Sequence, residues 1–226
     1  VESGGTLYRG GPPLAGVPDQ ISIAAPVYNL GGTVQVAAGD MLNLTGKDAS
    51  GYSYWQKTGS TALLQLDNGA NINAAGTYQI DIGTVKLTAP GGGRADELDG
   101  AGLNFGNANA TSLTFVDAGV TPGTVTVQGP VTLAANTTTT LNFTGGSNTA
   151  DLLDVKNGTL TLNGTLKLNS TDNKKPTAAL NFLDDSGFGP SIAGNFTSIT
   201  DSLNGTDVGA KVTNNPQLIY YQVTIS

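Results

Sequence analysis

The side chains able to do chemistry in this chain are carboxylates and aromatic rings. Its 226 residues include no histidine and no cysteine. A histidine general base, a thiolate nucleophile, a disulfide and a Cys- or His-built metal site are therefore excluded. Asp151 and Asp154 flank Leu152-Leu153, Asp96, Glu97 and Asp99 cluster near Arg94, and Asp184 and Asp185 are adjacent. A glycosidase holds two carboxyls about 5–10 Å apart across a sugar, a distance that sequence spacing does not supply. A β-eliminating site also needs a basic proton acceptor. Only Arg94 and Lys174-Lys175 suggest one. Of the 17 acidic residues 15 are aspartate, which favours turns. The pattern therefore fits solvated turn carboxylates better than an acid–base pair, and no catalytic residue is assigned.

Asp40, Asp67, Asp81, Asp99, Asp117 and Asp151 lie near glycines, and oxygen-rich corners suit calcium. Neither a Gly-Gly-x-Gly-x-Asp repeat nor an EF-hand loop is present. Structural calcium is the one cofactor kept in view, and no metal ligand is assigned. Gly91-Gly92-Gly93 lacks the lysine and the strand–helix setting of a phosphate loop. Tyr8, Tyr52, Tyr54 and Trp55 are candidates for a platform that stacks on sugars or on a partner protein. Tyr52, Tyr54 and Trp55 are the binding residues proposed from sequence, against the plainer reading that Trp55 packs on the side of the fold. Paired threonines, as in Thr124-x-Thr126 and Thr159-x-Thr161, look like the arrays of ice-binding proteins. The same pair does not recur regularly, and good strand propensity explains threonine more simply.

These residues need elements to hold them, and the chain offers short strands. In residues 151–168, Leu160 and Leu162 alternate with Thr159 and Thr161, and Leu166 and Leu168 with Thr165 and Lys167. Period-two alternation with one apolar side marks half-buried strands. Asn163-Gly164 separates the two runs and supplies the conformations of a sharp reversal or corner. Similar strands are expected at 33–36, 41–44, 63–66, 77–80, 84–87, 103–105, 112–115, 124–127, 131–133, 140–143 and 178–183. Residues 21–27 are expected to form a strand that Pro26 confines to an edge. The longest strand signal is 217–225, where Tyr220 and Tyr221 form a candidate assembly edge. Residues 52–55 read as irregular, 89–102 and 172–176 as loops, 184–194 as turn-like, and 1–20 as a Gly/Pro-rich lead-in with one short strand at 6–8. No amphipathic helix of 11 residues or more is expected.

Thr33, Thr77, Thr84, Thr124, Thr159, Thr165 and Thr206 each follow a glycine. Strands of three to five residues gain little stability as isolated hairpins. Stacked, each buries one apolar row on the next, the logic of a solenoid. The favoured fold is all-β, a parallel β-helix over residues 21–226 with loop insertions and rungs of roughly twenty residues. Residues 89–102 are the one candidate insertion or internal boundary. A two-sheet antiparallel β-sandwich is the rival, because alternation does not encode strand direction.

Composition agrees: 32 glycines and 12% charged residues suit many corners and few helices. A net charge of −7 with thinly spread basic residues argues against nucleic-acid binding. No apolar run approaches the roughly 20 residues of a membrane-spanning helix. The start, VESGGTLYRG, does not read as a signal peptide and has no initiator methionine, so the chain is expected to be processed or excised from something larger.

Two stretches carry a family resemblance. Residues 55–87 resemble the autotransporter-associated β-strand repeat through Trp55, Lys57-Thr58-Gly59, Leu63-Leu64-Gln65-Leu66, Asn71, Gly76-Thr77 and Gly83-Thr84. Val85 stands in place of the usual leucine. Residues 141–168, with Phe143, Asp151-Leu152-Leu153-Asp154-Val155 and Leu160, look like the distal part of autotransporter passenger domains. So do Gly194-Asn195-Phe196-Thr197 and the closing tyrosine-rich strand. The resemblance implies a right-handed parallel β-helix, exported and exposed outside a bacterial cell. It implies no activity.

The leading expectation is thus a non-catalytic extracellular or cell-surface protein, a stalk, adhesin or matrix component with a glycan or host matrix protein as partner. A polysaccharide-binding or polysaccharide-degrading protein is the alternative from another class. A self-assembling surface-layer or fibre subunit, joined through its terminal rungs, is the third.

Overall fold

The structure is a computed structural model. It describes residues 1–10, 20–37, 40–58, 61–66, 70–81, 83–87, 96–99, 102–105, 111–115, 122–156, 158–184, 192–203 and 220–223. Among these residues there is no helix, and the strands follow one another in threes. The first tier is β1 (Thr6–Arg9), β2 (Gln20–Ile23) and β3 (Val27–Asn29). Then come β4 (Thr33–Val36), β5 (Met41–Leu44) and β6 (Tyr52–Gln56), followed by β7 (Leu63–Leu66), β8 (Asn71–Ala74) and β9 (Thr77–Ile80). The fourth tier is β10 (Gly83–Leu87), β11 (Asp96–Asp99) and β12 (Gly102–Phe105); the fifth is β13 (Thr111–Phe115), β14 (Thr124–Gln128) and β15 (Val131–Thr132). In the sixth, β16 (Thr137–Thr144) carries a short spur, β17 (Thr149–Ala150), before β18 (Leu152–Lys156) and β19 (Leu160–Leu162). The seventh is β20 (Thr165–Ser170), β21 (Leu180–Asp184) and β22 (Ile192–Gly194), and β23 (Ser198–Asp201) and β24 (Tyr220–Val223) end the series.

Each strand pairs with its counterpart in the next tier, giving three open sheets. The first sheet runs β1-β4-β7-β10-β13-β16-β20-β23. The second runs β2-β5-β8-β11-β14-β18-β21-β24, and the third from β3 through β6, β9, β12, β15 and β19 to β22. Pairing between tiers is parallel throughout, except that β24 lies antiparallel to β21; the spur β17 is antiparallel to β16. The antiparallel sandwich is therefore overturned. Antiparallel neighbours need only a tight turn, whereas parallel neighbours need a long crossover. Here the crossover is a whole tier: Thr6 pairs with Thr33, and Thr33 with Leu63.

That spacing corrects the expected repeat of about twenty residues. The starts that suggested it, near 124, 140, 159 and 178, belong to strands of three different sheets.

Alternation along each strand builds the core. In the first sheet one inner column runs Leu7, Val34, Leu64, Val85, Leu113, Thr139, Leu166, Ile199. In the second sheet, register aligns Leu42, Ile72, Leu98, Val127 and Val155, while Ile21 at the head of that row is 46% exposed. Val34, Leu64, Val85, Leu166, Leu42, Ile72, Val127 and Val155, with Tyr54, Tyr78 and Leu160 of the third sheet, belong to one apolar cluster of buried side chains. The outer column of the first sheet reads Thr6, Thr33, Leu63, Thr84, Ser112, Thr138, Thr165, Ser198.

The glycine before such a threonine has a physical cause. A Cβ built on Gly83 or Gly164 would come within 3.0 Å of the carbonyl oxygen of Ala62 or Thr137 in the tier before, and both glycines have positive φ, 92° and 74°. The chain turns the corner with its Cα against the preceding tier, where only hydrogen fits. Thr84 N then donates to Ala62 O at 2.9 Å and continues the ladder.

Several expectations change. Residues 21–27 divide into β2 and β3, on different sheets, with Pro26 between them. Of the reversal and the corner that Asn163-Gly164 could supply, the chain forms the corner, since β19 and β20 belong to different sheets. Part of 89–102 is strand β11, and part of 184–194 is strand β22. The lead-in is tied down: β1 pairs with β4, Leu30 N donates to Val1 O, and Glu2 bridges to Leu30 and Gly31. The longest strand is β16 with 8 residues. Of residues 217–225, only Tyr220–Val223 are described as strand; 217–219 and 224–225 lie outside the described residues.

Candidate functional site

Among the described residues, the densest group of exposed and half-exposed aromatic side chains is on the outer face of the third sheet, in its first two tiers. Register places Tyr28 beside Trp55 and Trp55 beside Gln79. Simple alternation from Trp55 would turn Tyr52 inward. The pairing of β6 with β9 instead shifts between Tyr52 and Tyr54, a bulge at Ser53. Ser53 is buried and fixed at both sides: its Oγ donates to Gly46 O at 2.7 Å and accepts from Gly76 N at 2.8 Å. A bulge re-aims the side chains on one side of it. Tyr52 and Trp55 therefore share the outer face and Tyr54 goes inside.

Around Trp55 the geometry is well defined. Tyr52 meets it edge-on at 5.2 Å between centroids, and Tyr28 lies tilted at 6.1 Å. The ammonium of Lys57 sits 4.4 Å from the indole centroid, a cation–π contact. Trp55 Nε1 donates to Asp81 Oδ2 at 2.7 Å, and Gln79 Nε2 donates to Asp81 Oδ1 at 2.7 Å. At the other end of the strands Asp48 Oδ1 accepts from Ser50 N and Tyr52 N, and Asp48 Oδ2 from the Tyr28 hydroxyl at 3.3 Å. The Tyr52 N–H leads in holding Asp48 below the usual carboxylate range, so it is ionised at neutral pH. Desolvation, then the Asp48 charge, raises the Tyr28 hydroxyl and keeps it a neutral donor.

Of the three binding residues expected from sequence, Tyr52 and Trp55 come together at the surface. Tyr54 does not: it is fully buried, accepts from Asn29 Nδ2 at 3.1 Å and donates to Gln56 Oε1 at 2.8 Å. Burial raises its pKa far above the usual range. As the direct neighbour of Trp55 it is turned inward by strand alternation alone; the bulge at Ser53 is what keeps Tyr52 on the outer side, and no residue type in Tyr52-Ser53-Tyr54 announces it. Tyr28 takes the vacated role. It is 38% exposed and was hidden in sequence by its distance from Trp55; one-tier spacing was the signal that could have found it. Tyr8, 57% exposed, is on the first sheet, apart from this group.

Asp151 and Asp154, the pair suggested by sequence that lies within the described residues, do not converge. Asp151 is fully buried, accepting from Asn142 N at 2.7 Å, Asn142 Nδ2 at 3.0 Å and Gly123 N at 3.2 Å. Asp154 lies on the opposite face of the same strand, as the alternating burial of 151–155 shows. The two cannot flank one sugar. Asp96 and Asp99 also occupy register positions of opposite parity in β11. Arg94, Asp67, Asp117 and Asp185 lie outside the described residues. Among the described residues no three His, Cys, Asp or Glu side chains converge as metal ligands. Backbone pairing sets Tyr220 beside Asp184 and Tyr221 beside Leu183, at the end of the second sheet.

The fold and this site define an all-β protein of mostly parallel sheets carrying an outer aromatic cluster. No family model, curated protein or solved structure matches the chain.

Proposed function

We propose that the chain is a right-handed parallel β-helix that serves as a non-catalytic structural module, the stalk or adhesin body of a bacterial protein exposed outside the cell. The observation that carries this reading is the recurrence of every third strand in the same sheet, in parallel, over seven tiers. Three sheets with facing apolar columns are the economical way to enclose one core along such a stack. The right hand follows from the rule that parallel strands in one sheet are joined by right-handed crossovers. Extracellular exposure rests on the resemblance of 55–87 and 141–168 to autotransporter passenger repeats. The first sheet's outer column of threonine and serine suits a solvated wall.

Solution scattering tests the architecture. Eight strands at about 4.8 Å give an axial length near 34 Å for the stack, plus its ends. The expected scattering is that of a short rod, and a compact sphere overturns it. Labelling of intact cells with antibody against the chain tests location. Detection only after lysis overturns surface exposure.

A further inference from the structure

We propose that the outer face of the third sheet binds a neutral, linear polysaccharide, with Tyr28 and Trp55 as its stacking platform and Asp48 as the group that anchors the Tyr28 hydroxyl. The proposal rests on the extracellular-scaffold reading and names its ligand class. Several observations support this assignment. Tyr28 and Trp55 are register neighbours, and the Ser53 bulge adds Tyr52 to the same side. By residue type the other outer register positions are mainly hydroxyl and amide residues, and among the described residues the rings that touch one another at the surface lie in two adjacent tiers.

Asp48 is held ionised in place by backbone N–H groups, at the strand end where Tyr28 reaches it. The N–H groups of Tyr52, Ser50 and Gly51 and the Tyr28 hydroxyl all act on its carboxylate, so its part is to fix the Tyr28 ring at the edge of the platform. Beyond Trp55 the column continues to Gln79, Asn104 and Thr132, one position every ~4.8 Å. Gln79 is buried with its amide on Asp81, so a glycan lying along the stack would meet the rings of the first two tiers and then the Asn104 and Thr132 positions. The net charge of −7 disfavours a polyanionic chain, which narrows the class to neutral glycans.

Trp55 is the only tryptophan in the chain, so its fluorescence reads this site directly. The full chain is titrated with a β-1,4-linked glucose hexasaccharide, a β-1,4-linked N-acetylglucosamine hexasaccharide and a sulfated heparin hexasaccharide. A saturable change with at least one neutral sugar and none with heparin is expected. Tyr28→Ala should weaken binding at least about fivefold, while Thr138→Ala on the first sheet leaves it unchanged. Circular dichroism of both variants should match the parent chain. Silence with both neutral sugars at millimolar concentration overturns the proposal. So does binding of heparin alone, or full binding by a folded Tyr28→Ala chain. Rod-like scattering with no sugar response would sink this inference and leave the scaffold reading standing.

Discussion

Alanine replacement of three glycines separates the two reasons this chain uses glycine at its corners. Gly51 has φ of 86° and open space around its would-be Cβ. Gly76 has no positive φ, but a Cβ there would press on Gly51 O, the acceptor of the Thr77 N–H bond. Gly164 combines both features, with φ of 74° and Thr137 O in the way. The left-handed conformation costs a residue with a Cβ about 1–2 kcal/mol. Forcing an atom into filled space costs about 1–3 kcal/mol. Replacing glycine by alanine restricts the unfolded chain and returns about 0.4–1 kcal/mol. Gly51→Ala should therefore cost roughly 0.5–1 kcal/mol, Gly76→Ala roughly 0.5–2, and Gly164→Ala roughly 1.5–4. Urea unfolding followed by far-ultraviolet circular dichroism gives the three values. Trp55 emission provides a second, local probe for the first two. If Gly164→Ala costs no more than Gly51→Ala, the preceding carbonyl does not sit against the corner, and the account of the Gly-Thr motif fails.

Three further outcomes follow from buried and capped polar groups. Tyr54→Phe removes one partner each from Asn29 Nδ2, which keeps Leu63 O, and from Gln56 Oε1, and should destabilise the chain by about 1 kcal/mol in the same urea assay. An unchanged midpoint would mean that the inner polar group is slack. Thr139 is fully buried with its Oγ1 unbonded, between Leu113 and Leu166 in an apolar column. Thr139→Val should raise stability by about 1 kcal/mol, and a loss would show that the hydroxyl has a partner. Asp172 is held below the usual carboxylate range, first by the N–H of Gly146 and then by those of Lys174 and Gly145 and the Ser170 hydroxyl. A depressed folded pKa contributes stability that is complete above the unfolded value, near 3.8, and is lost as pH falls through the folded one. Asp172→Asn should be less stable at neutral pH and show a shallower loss on acidification. Equal acid slopes in the two proteins would contradict this assignment.

The inner half of each strand was legible because burial imposes period two on it. Leu160 and Leu162, or Leu166 and Leu168, need no neighbour to be recognised. Strands β8 and β11 were not legible. Their sequences, Asn-Ile-Asn-Ala and Asp-Glu-Leu-Asp, carry little strand propensity. They are extended because a neighbour on each side supplies a row of hydrogen-bonding groups, and tertiary pairing outweighs propensity. The repeat length was misread for a related reason. Similar strands occur three times per tier, so the short spacing is that between sheets and the long one is that between tiers. At the aromatic cluster, Tyr52 and Trp55 could be read as candidates. Alternation from Trp55 removes Tyr54 but would also remove Tyr52; keeping Tyr52 takes the bulge at Ser53, and adding Tyr28 takes the register of a full tier of chain.

The same register separates what the scaffold constrains from what it leaves free. An inner position faces the columns of all three sheets, so a change there is felt by the tiers above and below. Thr139 is an exception that the stack tolerates at a cost. An outer position meets only its two column neighbours. Thr138 can vary with small consequence, whereas Trp55 is bound to Tyr28, Tyr52, Lys57 and Asp81 together. Four partners on an outward residue exceed what a solvated wall requires. Holding one indole this firmly at the surface lowers the ordering cost of any ligand that stacks there. This cluster is therefore where recognition should be sought on a scaffold whose remaining outer columns are mostly small and polar.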